Sequence, residues 1–350
     1  MAISVHPALA LLLFALALVI FGLLFWPRMG AFTRWRRLRR GAERVLVEDA
    51  LKHVYHATSA GHSATIDSLA GVLECSRSAA AHVVERLAER ELVHLQGGAL
   101  SLSDEGRRYA LRIVRTHRLW ERYLADRTGV APLDWHEEAE RREHQLTQDE
   151  TDALAARMGH PAVDPHGDPI PTATGEVPVQ AGVALPLLSE GESGRIVHLE
   201  DEPREIYDKL LAQGLSLSLV LTRLAGIGSR VRFRSEGREH ELDAVAAANV
   251  TVERVPRELG EESAHAHETL ASVAPGESAF VLGLAPMCQG PQRRRLLDLG
   301  VVPGTRVTAE FESAGGDPTA YRVRGALLAL RRKQAEWVYV TREDVMMRSA

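Results

Sequence analysis

TIDSLAGVLECSRSAAAHVVERLAEREL (65–92), running on into LVHLQGGALSLSDEG (92–106), is the stretch on which the fold turns. Thr65 stands where an N-cap is wanted, and residues 65–74 read as a short helix. A break at Cys75-Ser76 leads into a further helix over 76–92, with Ala80, Val83, Val84 and Leu87 on one face. Beyond it the chain alternates like two short strands around Gly97-Gly98. Upstream, AERVLVEDALKHVYHATSAG (42–61) has the pattern of an amphipathic helix closed by Gly61. Three helices and a β-ribbon make a winged helix-turn-helix, whose third helix lies in the major groove of DNA. Ser76, Arg77, Ser78 and His82 lie near the start of that helix, where base and phosphate contacts are made. The same pattern also serves for protein contacts. Arg107, Arg108, Arg112 and Arg115 on the next helix either add phosphate contacts or simply solvate it.

The chain has 350 residues, 25% charged and 45% hydrophobic, enough for roughly two to four globular domains. A formal net charge of -5 does not mark a nucleic-acid binder as a whole, and leaves room for a local basic patch. With only Cys75 and Cys288, a disulfide framework or thiolate zinc site is not expected. Residues 7–26 carry no charged side chain, and about 20 apolar residues span a bilayer core. MAISVH lacks the Lys/Arg of a signal peptide, so the reading is a membrane anchor over 1–28. Arg34, Arg36, Arg37, Arg39, Arg40 and Arg44 form a basic juxtamembrane segment over 29–44. The expected location is the inner membrane, single-pass, with the remainder cytoplasmic. The other reading of this basic run is a nucleic-acid arm.

HEEAERREH (136–144) is charged at every position but Ala139. Wound as a helix, it puts His136, Glu140, Glu143 and His144 on one stripe, a donor set that suits a divalent metal. A charged, solvated helix face is the alternative. Catalytic arrangements are poorly matched: a zinc-peptidase motif needs His at position 140, and a paired Glu-x-x-His motif needs Glu at 141. No phosphate loop or nucleophile elbow stands out, and no enzyme is expected.

EDALKHVY (48–55), ERLAERELV in the helix-turn-helix, THRLWERYLADRTGV (116–130), HEEAERREH and MGHPAVDPHGDPIP (158–171) occur in an order that resembles the diphtheria-toxin-repressor family of metal-dependent transcriptional repressors. The resemblance implies a primary regulatory metal at Asp49, Glu140, Glu143 and His144, and an ancillary one at His117, Glu121 and His136. The manganese-responsive branch has carboxylates at the positions of Asp49 and Glu140, where the iron branch has methionine and cysteine. Lys52 stands where the manganese branch has a further carboxylate, which puts its two-metal arrangement in doubt. Mn²⁺ or Fe²⁺ is the implied cofactor. A homodimer held through helices over about 105–155 and bound to a palindromic operator in double-stranded DNA is the implied assembly.

The C-terminal half repeats. LLSEGESGRIVHL (187–199) answers ASVAPGESAFVLGL (271–284), and DKLLAQGLSLSLVLTRL (208–224) answers RRLLDLGVVPGTRVTAEF (294–311). The later copy resembles the ferrous-iron-transport A (FeoA) domain, an SH3-like barrel; Gly214 and Gly300 serve turns needing positive φ. The expected fold is a multidomain α+β chain: a transmembrane helix, a winged helix-turn-helix (45–104), a helical metal-binding and dimerisation domain (105–157) and a linker (158–182). Two small SH3-like β-barrels over 183–256 and 264–345 complete it. Two functions fit: a membrane-tethered metal-dependent regulator that represses metal-uptake genes, or a membrane-bound FeoA-like accessory regulating a ferrous-iron or manganese transporter by contact.

Overall fold

The computed structural model describes residues 31–226, 230–263 and 267–342, in two compact units that divide between Val114 and Arg115. The first unit opens on α1 (Ala31–Ser59), which takes in the basic run and ends before Gly61, whose φ is +75°. Then come β1 (Ala64–Thr65), α2 (Ile66–Val72), α3 (Arg77–Glu89), β2 (Val93–Gln96) and β3 (Ala99–Leu102). Thr65 caps α2 in a reciprocal capping box with Ser68, and the Ser76 hydroxyl caps α3 by accepting from the Ala79 amide at 3.2 Å. The strands pair antiparallel in the order β1-β3-β2, with Val93 opposite Leu102 and Ala64 opposite Leu100. Ala80, Val83, Val84 and Leu87 are all buried, as their spacing requires, together with Leu51, Val54 and Leu69.

α4 (Asp104–Arg127) starts hard against the wing. A Cβ on Gly106 would lie 1.9 Å from the Leu92 carbonyl oxygen, so only glycine allows this approach. Two further ties hold the corner: the Ser103 amide donates to Leu92 O at 3.0 Å, and the Gly106 amide to the Ser103 hydroxyl at 3.0 Å. Arg44, Glu48 and Tyr109 form a network in which the Tyr109 hydroxyl donates to the buried Glu48 carboxylate at 2.7 Å.

The second unit begins with the remainder of α4, followed by α5 (Trp135–Glu143) and α6 (Gln148–Arg157). After an irregular segment come β4 (Val183–Ala184), β5 (Ser193–Leu199), α7 (Arg204–Ala212), β6 (Val220–Arg223), β7 (Val231–Ser235), β8 (Arg238–Leu242), α8 (Ala244–Ala248) and β9 (Val250–Val255). α9 (Arg257–Ser263) leads to the same series again: β10 (Glu268–Thr269), β11 (Ser278–Leu284), α10 (Gly290–Asp298), β12 (Arg306–Glu312), β13 (Thr319–Val323), β14 (Ala326–Leu330), α11 (Arg332–Ala335) and β15 (Val338–Thr341). The sheets run β4-β9-β5-β6-β7-β8 and β10-β15-β11-β12-β13-β14, all antiparallel, so the sequence repeat is a structural one. It extends to side chains: Ser193 and Thr222 share a hydroxyl hydrogen bond at 3.0 Å, Ser278 and Thr308 one at 2.8 Å. Gly214 and Gly300 have φ of +75° and +86°, as the turns demand.

Three expectations are corrected here. The repeats are open six-stranded sheets, because among the described residues no strand pairing joins β8 to β4 or β14 to β10 to close a barrel. The inner-membrane location is not upheld: among the described residues no helix is long and apolar enough to cross a membrane. The apolar stretch 7–26 on which that location rested lies outside the described residues. Residues 158–182 are more than a linker, since Asp164, His166 and Ile170 are buried.

Candidate metal centre

α4 sets His117 and Glu121 one turn apart on its buried face. His117 Nε2 lies 3.0 Å from Glu121 Oε1 and 3.3 Å from His136 Nδ1, the latter carried on α5. The other ring nitrogen, Nδ1, lies 2.5 Å from Glu143 Oε2. Each imidazole nitrogen of His117 therefore faces a carboxylate, with Glu121 2% and Glu143 4% exposed. Ligand atoms of His117, Glu121 and His136 all fall within 4.8 Å of one another. The three residues expected of an ancillary site are brought together.

The first sheet contributes next. Asp201 and Glu202 follow β5, and the Asp201 carboxylate reaches His136 Nδ1 at 3.1 Å while Glu202 reaches His136 Nε2 at 3.2 Å. From the segment after α6 comes His166, 1% exposed. Its Nδ1 is 3.5 Å from Asp201 Oδ2 and 3.9 Å from Glu121 Oε2, and neither ring nitrogen makes a hydrogen bond. Trp135 and Tyr207 flank its ring at centroid distances of 5.8 and 5.0 Å. Asp164 fixes this loop by accepting from the amides of His166, Gly167 and Asp168, each at 2.9 Å. Glu121, Asp164 and His166 form a second group with ligand atoms within 4.8 Å. A cavity of about 240 Å³ lined by His136, Glu140, His166, Asp201 and Glu202 adjoins the cluster.

Burial drives the charged forms of these groups up in free energy, and their neighbours answer it. For Glu121 burial pushes the pKa up, but His117 and His136 hold it well below the usual carboxylate range. For His136 burial works downward, and the carboxylates of Asp201, Glu121, Glu140 and Glu202 raise it nonetheless. Asp164 is pushed well up, by burial first and by the Asp168 charge second. An unpartnered buried imidazole costs free energy, and so does a cluster of buried carboxylates. A cation held by His117, Glu121 and His136, with His166 and Asp201 beside them, would relieve both. The donors are oxygen and imidazole nitrogen without thiolate, which suits Mn²⁺ or Fe²⁺.

The stripe expected on α5 is divided. His136 and Glu140 lie together, with Nε2 to Oε1 at 3.7 Å, on the side facing Asp201 and Glu202. Glu143 turns instead to His117, and His144 is the C-cap residue, its Nε2 3.5 Å from Glu143 Oε1. Asp49 is half-buried on α1 of the first unit. Ser76, Arg77, Ser78 and His82 are all exposed at the start of α3. Arg77 pairs with Asp67 at 3.1 Å and His82 meets Glu85 at 3.3 Å, surface contacts that exchange readily with other anions. Arg115 is corrected: it is 8% exposed and pairs with Asp152 at 2.9 Å, so it does not serve as a phosphate contact. Asp201, Glu202 and His166 were missed; the turn-forming run DPHGDP, with two carboxylates around one histidine, was the signal available for His166.

Comparison with known proteins bears on both halves. The family described as iron dependent repressor, metal binding and dimerisation domain matches residues 103–172, and the FeoA domain family matches 268–342. The iron-dependent repressor IdeR of Mycobacterium tuberculosis is 31% identical over 122 residues, 35% of this chain and 53% of that protein. The chain thus spans about half the length of such curated relatives. The diphtheria toxin repressor of Corynebacterium glutamicum is 28% identical over 218 residues, 59% of this chain and 94% of that protein. Among solved structures, a manganese-dependent transcriptional repressor in complex with manganese has 31% identity and a TM-score of 0.55, covering 60% of this chain and 100% of that one. The relatives are named as repressors and not as enzymes.

Proposed function

Because the chain belongs to the family of metal-dependent transcriptional repressors that includes the diphtheria toxin repressor, we propose that it is a DNA-binding regulator whose affinity for its operator is set by Mn²⁺ or Fe²⁺. The observation that carries this reading is the cluster of buried His117 and Glu121 with half-buried His136, joined by Asp201 and by His166, whose ring nitrogens make no hydrogen bond. In the regulator, two copies pair through the helices over about 105–155, and each offers Ser76, Arg77, Ser78 and His82 to one half of a palindromic site.

His117, Glu121, His136, His166 and Asp201 would hold the cation, which would supply positive charge where carboxylates are buried; these residues come from α4, α5, the loop after α6 and the end of β5. His117 serves two directions at once: with Nε2 given to the cluster, Nδ1 holds the Glu143 carboxylate. Asp49, Glu140, Glu143 and His144 are the ligands proposed for the primary site, on the resemblance between the sequences. Metal and DNA binding are then reciprocal, with a coupling of about 1–3 kcal/mol, or roughly 5–150-fold in affinity.

The test is a DNA mobility shift on the chain's own promoter regions with Mn²⁺ or Fe²⁺ and with a chelator. Glu121→Gln and Glu143→Gln are expected to weaken the metal-dependent shift, and Arg77→Ala with His82→Ala to weaken DNA binding while leaving metal uptake intact. Binding that ignores metal, or none at any promoter, overturns the reading.

A further inference from the structure

The two sheets of the second unit are built alike, and comparing them singles out one edge. β8 and β14 are outermost in their sheets and pair on one side only, β8 with β7 and β14 with β13. Among the described residues, no backbone hydrogen bond reaches the other side of either strand. In the first sheet the exposed positions of this strand are charged: Arg238, Glu239 and Glu241. Glu239 is held by Arg232 and Arg234, each at 2.8 Å, and Glu241 by Arg230 at 2.6 Å. Charges so placed keep an edge from adding a further strand.

At the matching positions the second sheet carries Ala326, Leu327 and Ala329, in the run ALLAL. Leu327 is 49% exposed. Opposite it stands Arg322, as Arg234 stands opposite Glu239 in the first sheet, but Arg322 turns away to Glu310 on β12 at 2.6 Å. The second edge is therefore uncharged along its length. Cations stand at both ends: Arg324 in the β13–β14 turn, and Arg331 and Lys333 just beyond β14, are exposed, while the carboxylates at the second end, Asp317 and Glu336, are engaged by the Arg332 amide at 2.9 Å and the Arg332 guanidinium at 3.7 Å.

We propose that the free edge of β14 accepts an added strand from a partner protein: an extended peptide of alternating apolar residues with carboxylates at both ends. Backbone hydrogen bonds to β14 supply affinity, and apolar side chains lie beside Leu327 and Ala329. The terminal carboxylates meet Arg324 at one end and Arg331 with Lys333 at the other. A second copy of the same strand fits less well, because antiparallel pairing sets Arg324 of one copy near Arg331 of the other, like charge beside like.

The test uses the full chain and a fluorescein-labelled peptide, EEVTVTVEE, followed by anisotropy. Saturable binding is expected. The double substitution Leu327→Glu, Ala329→Glu gives β14 the carboxylates that β8 already carries, and is expected to weaken binding by about tenfold or more through like-charge opposition. Both sites are exposed and the first sheet tolerates glutamate there, so the thermal melt should not move. On the unaltered chain, the lysine-ended peptide KKVTVTVKK should also bind about tenfold more weakly, a loss that added salt diminishes. No saturable binding, equal binding by the double variant, or equal binding by the lysine-ended peptide overturns the proposal. So does a change in the oligomeric state of the free chain on the double substitution, which assigns the edge to a second copy.

Discussion

Asp201→Asn tests whether the loop after β5 completes the metal cluster. The substitution preserves the side chain's shape and removes its charge. Asp201 lies 3.1 Å from His136 Nδ1 and 3.5 Å from His166 Nδ1. Burial pushes its pKa up, but the hydrogen bond from His136 and the His166 ring hold it below the usual range. Without metal, the change removes one charge-assisted hydrogen bond. His136 is 28% exposed in its side chain and retains Glu121, Glu140 and Glu202, so the loss sits at the low end, about 1.5 kcal/mol. With metal the loss is larger. Removing even an outer partner of a ligand costs about 10–100-fold in affinity, which sets the lower bound for a carboxylate that touches the ion. At Mn²⁺ equal to about 100 times the unaltered dissociation constant, binding stabilises the fold by about 2.7 kcal/mol; tenfold weaker binding leaves ~1.4, and hundredfold weaker ~0.4. Thermal unfolding with and without Mn²⁺, beside a calorimetric titration, measures this. The metal-induced rise in Tm should fall by half or more in the variant. An equal rise in both proteins refutes the assignment of Asp201 to the cation.

Gly106→Ala places a methyl 1.9 Å from the Leu92 carbonyl oxygen and should cost about 1–3 kcal/mol, read as a lower urea midpoint with unchanged slope. Ser218, at φ +67°, occupies the place of Gly304, at φ +81°, and both donate their amide across the sheet at 2.8 Å. Relief of ~1–2 kcal/mol of left-handed strain, offset by ~0.5–1 of added chain entropy, makes Ser218→Gly stabilising by about 0.5–1 kcal/mol in the same assay. Tyr109 is pushed up to about 12 by burial and by its hydrogen bond to Glu48. Its contribution is fully present below an unfolded value near 10 and is lost as pH rises toward 12. Tyr109→Phe should therefore be less stable than the parent at neutral pH, by a margin that closes between those values in urea titrations.

The winged helix was legible because its signals are local: the apolar face of Ala80, Val83, Val84 and Leu87, the caps at Thr65 and Ser76, and the Gly97-Gly98 turn lie within one stretch. His117 and Glu121 were legible for the same reason, being one helical turn apart. β1 was not, since two residues carry no period. Asp201 and His166 were hidden for a different reason. They reach the cluster from a strand end and a loop, and nothing in their spacing from α4 encodes the tertiary approach. The proline- and glycine-rich run 158–182 misled because its composition signals turns, while its burial depends on the Asp164 carboxylate folding the loop onto three amides. Arg115 and its neighbours look alike in sequence; only packing separates the buried one from the exposed three.

The two copies of the small sheet differ at the corner from which the first reaches the proposed metal cluster. β5 and β11 end at Leu199 and Leu284, which pair with equivalent residues of β9 and β15. Two residues further on, the first copy has Asp201 and Glu202 and the second has Pro286 and Met287. Proline offers no ligand atom and a thioether is a soft donor, so the second copy lacks what a hard cation needs at that corner. The opposite edge diverges in the reverse sense: the first copy keeps its blocking charges on β8, and the second has shed them on β14. Exchanging the two corners, with Pro and Met placed at 201 and 202, should abolish the first sheet's part in metal binding and leave the peptide affinity of β14 unchanged; coupled loss of both would show that the two sheets do not divide the work in this way.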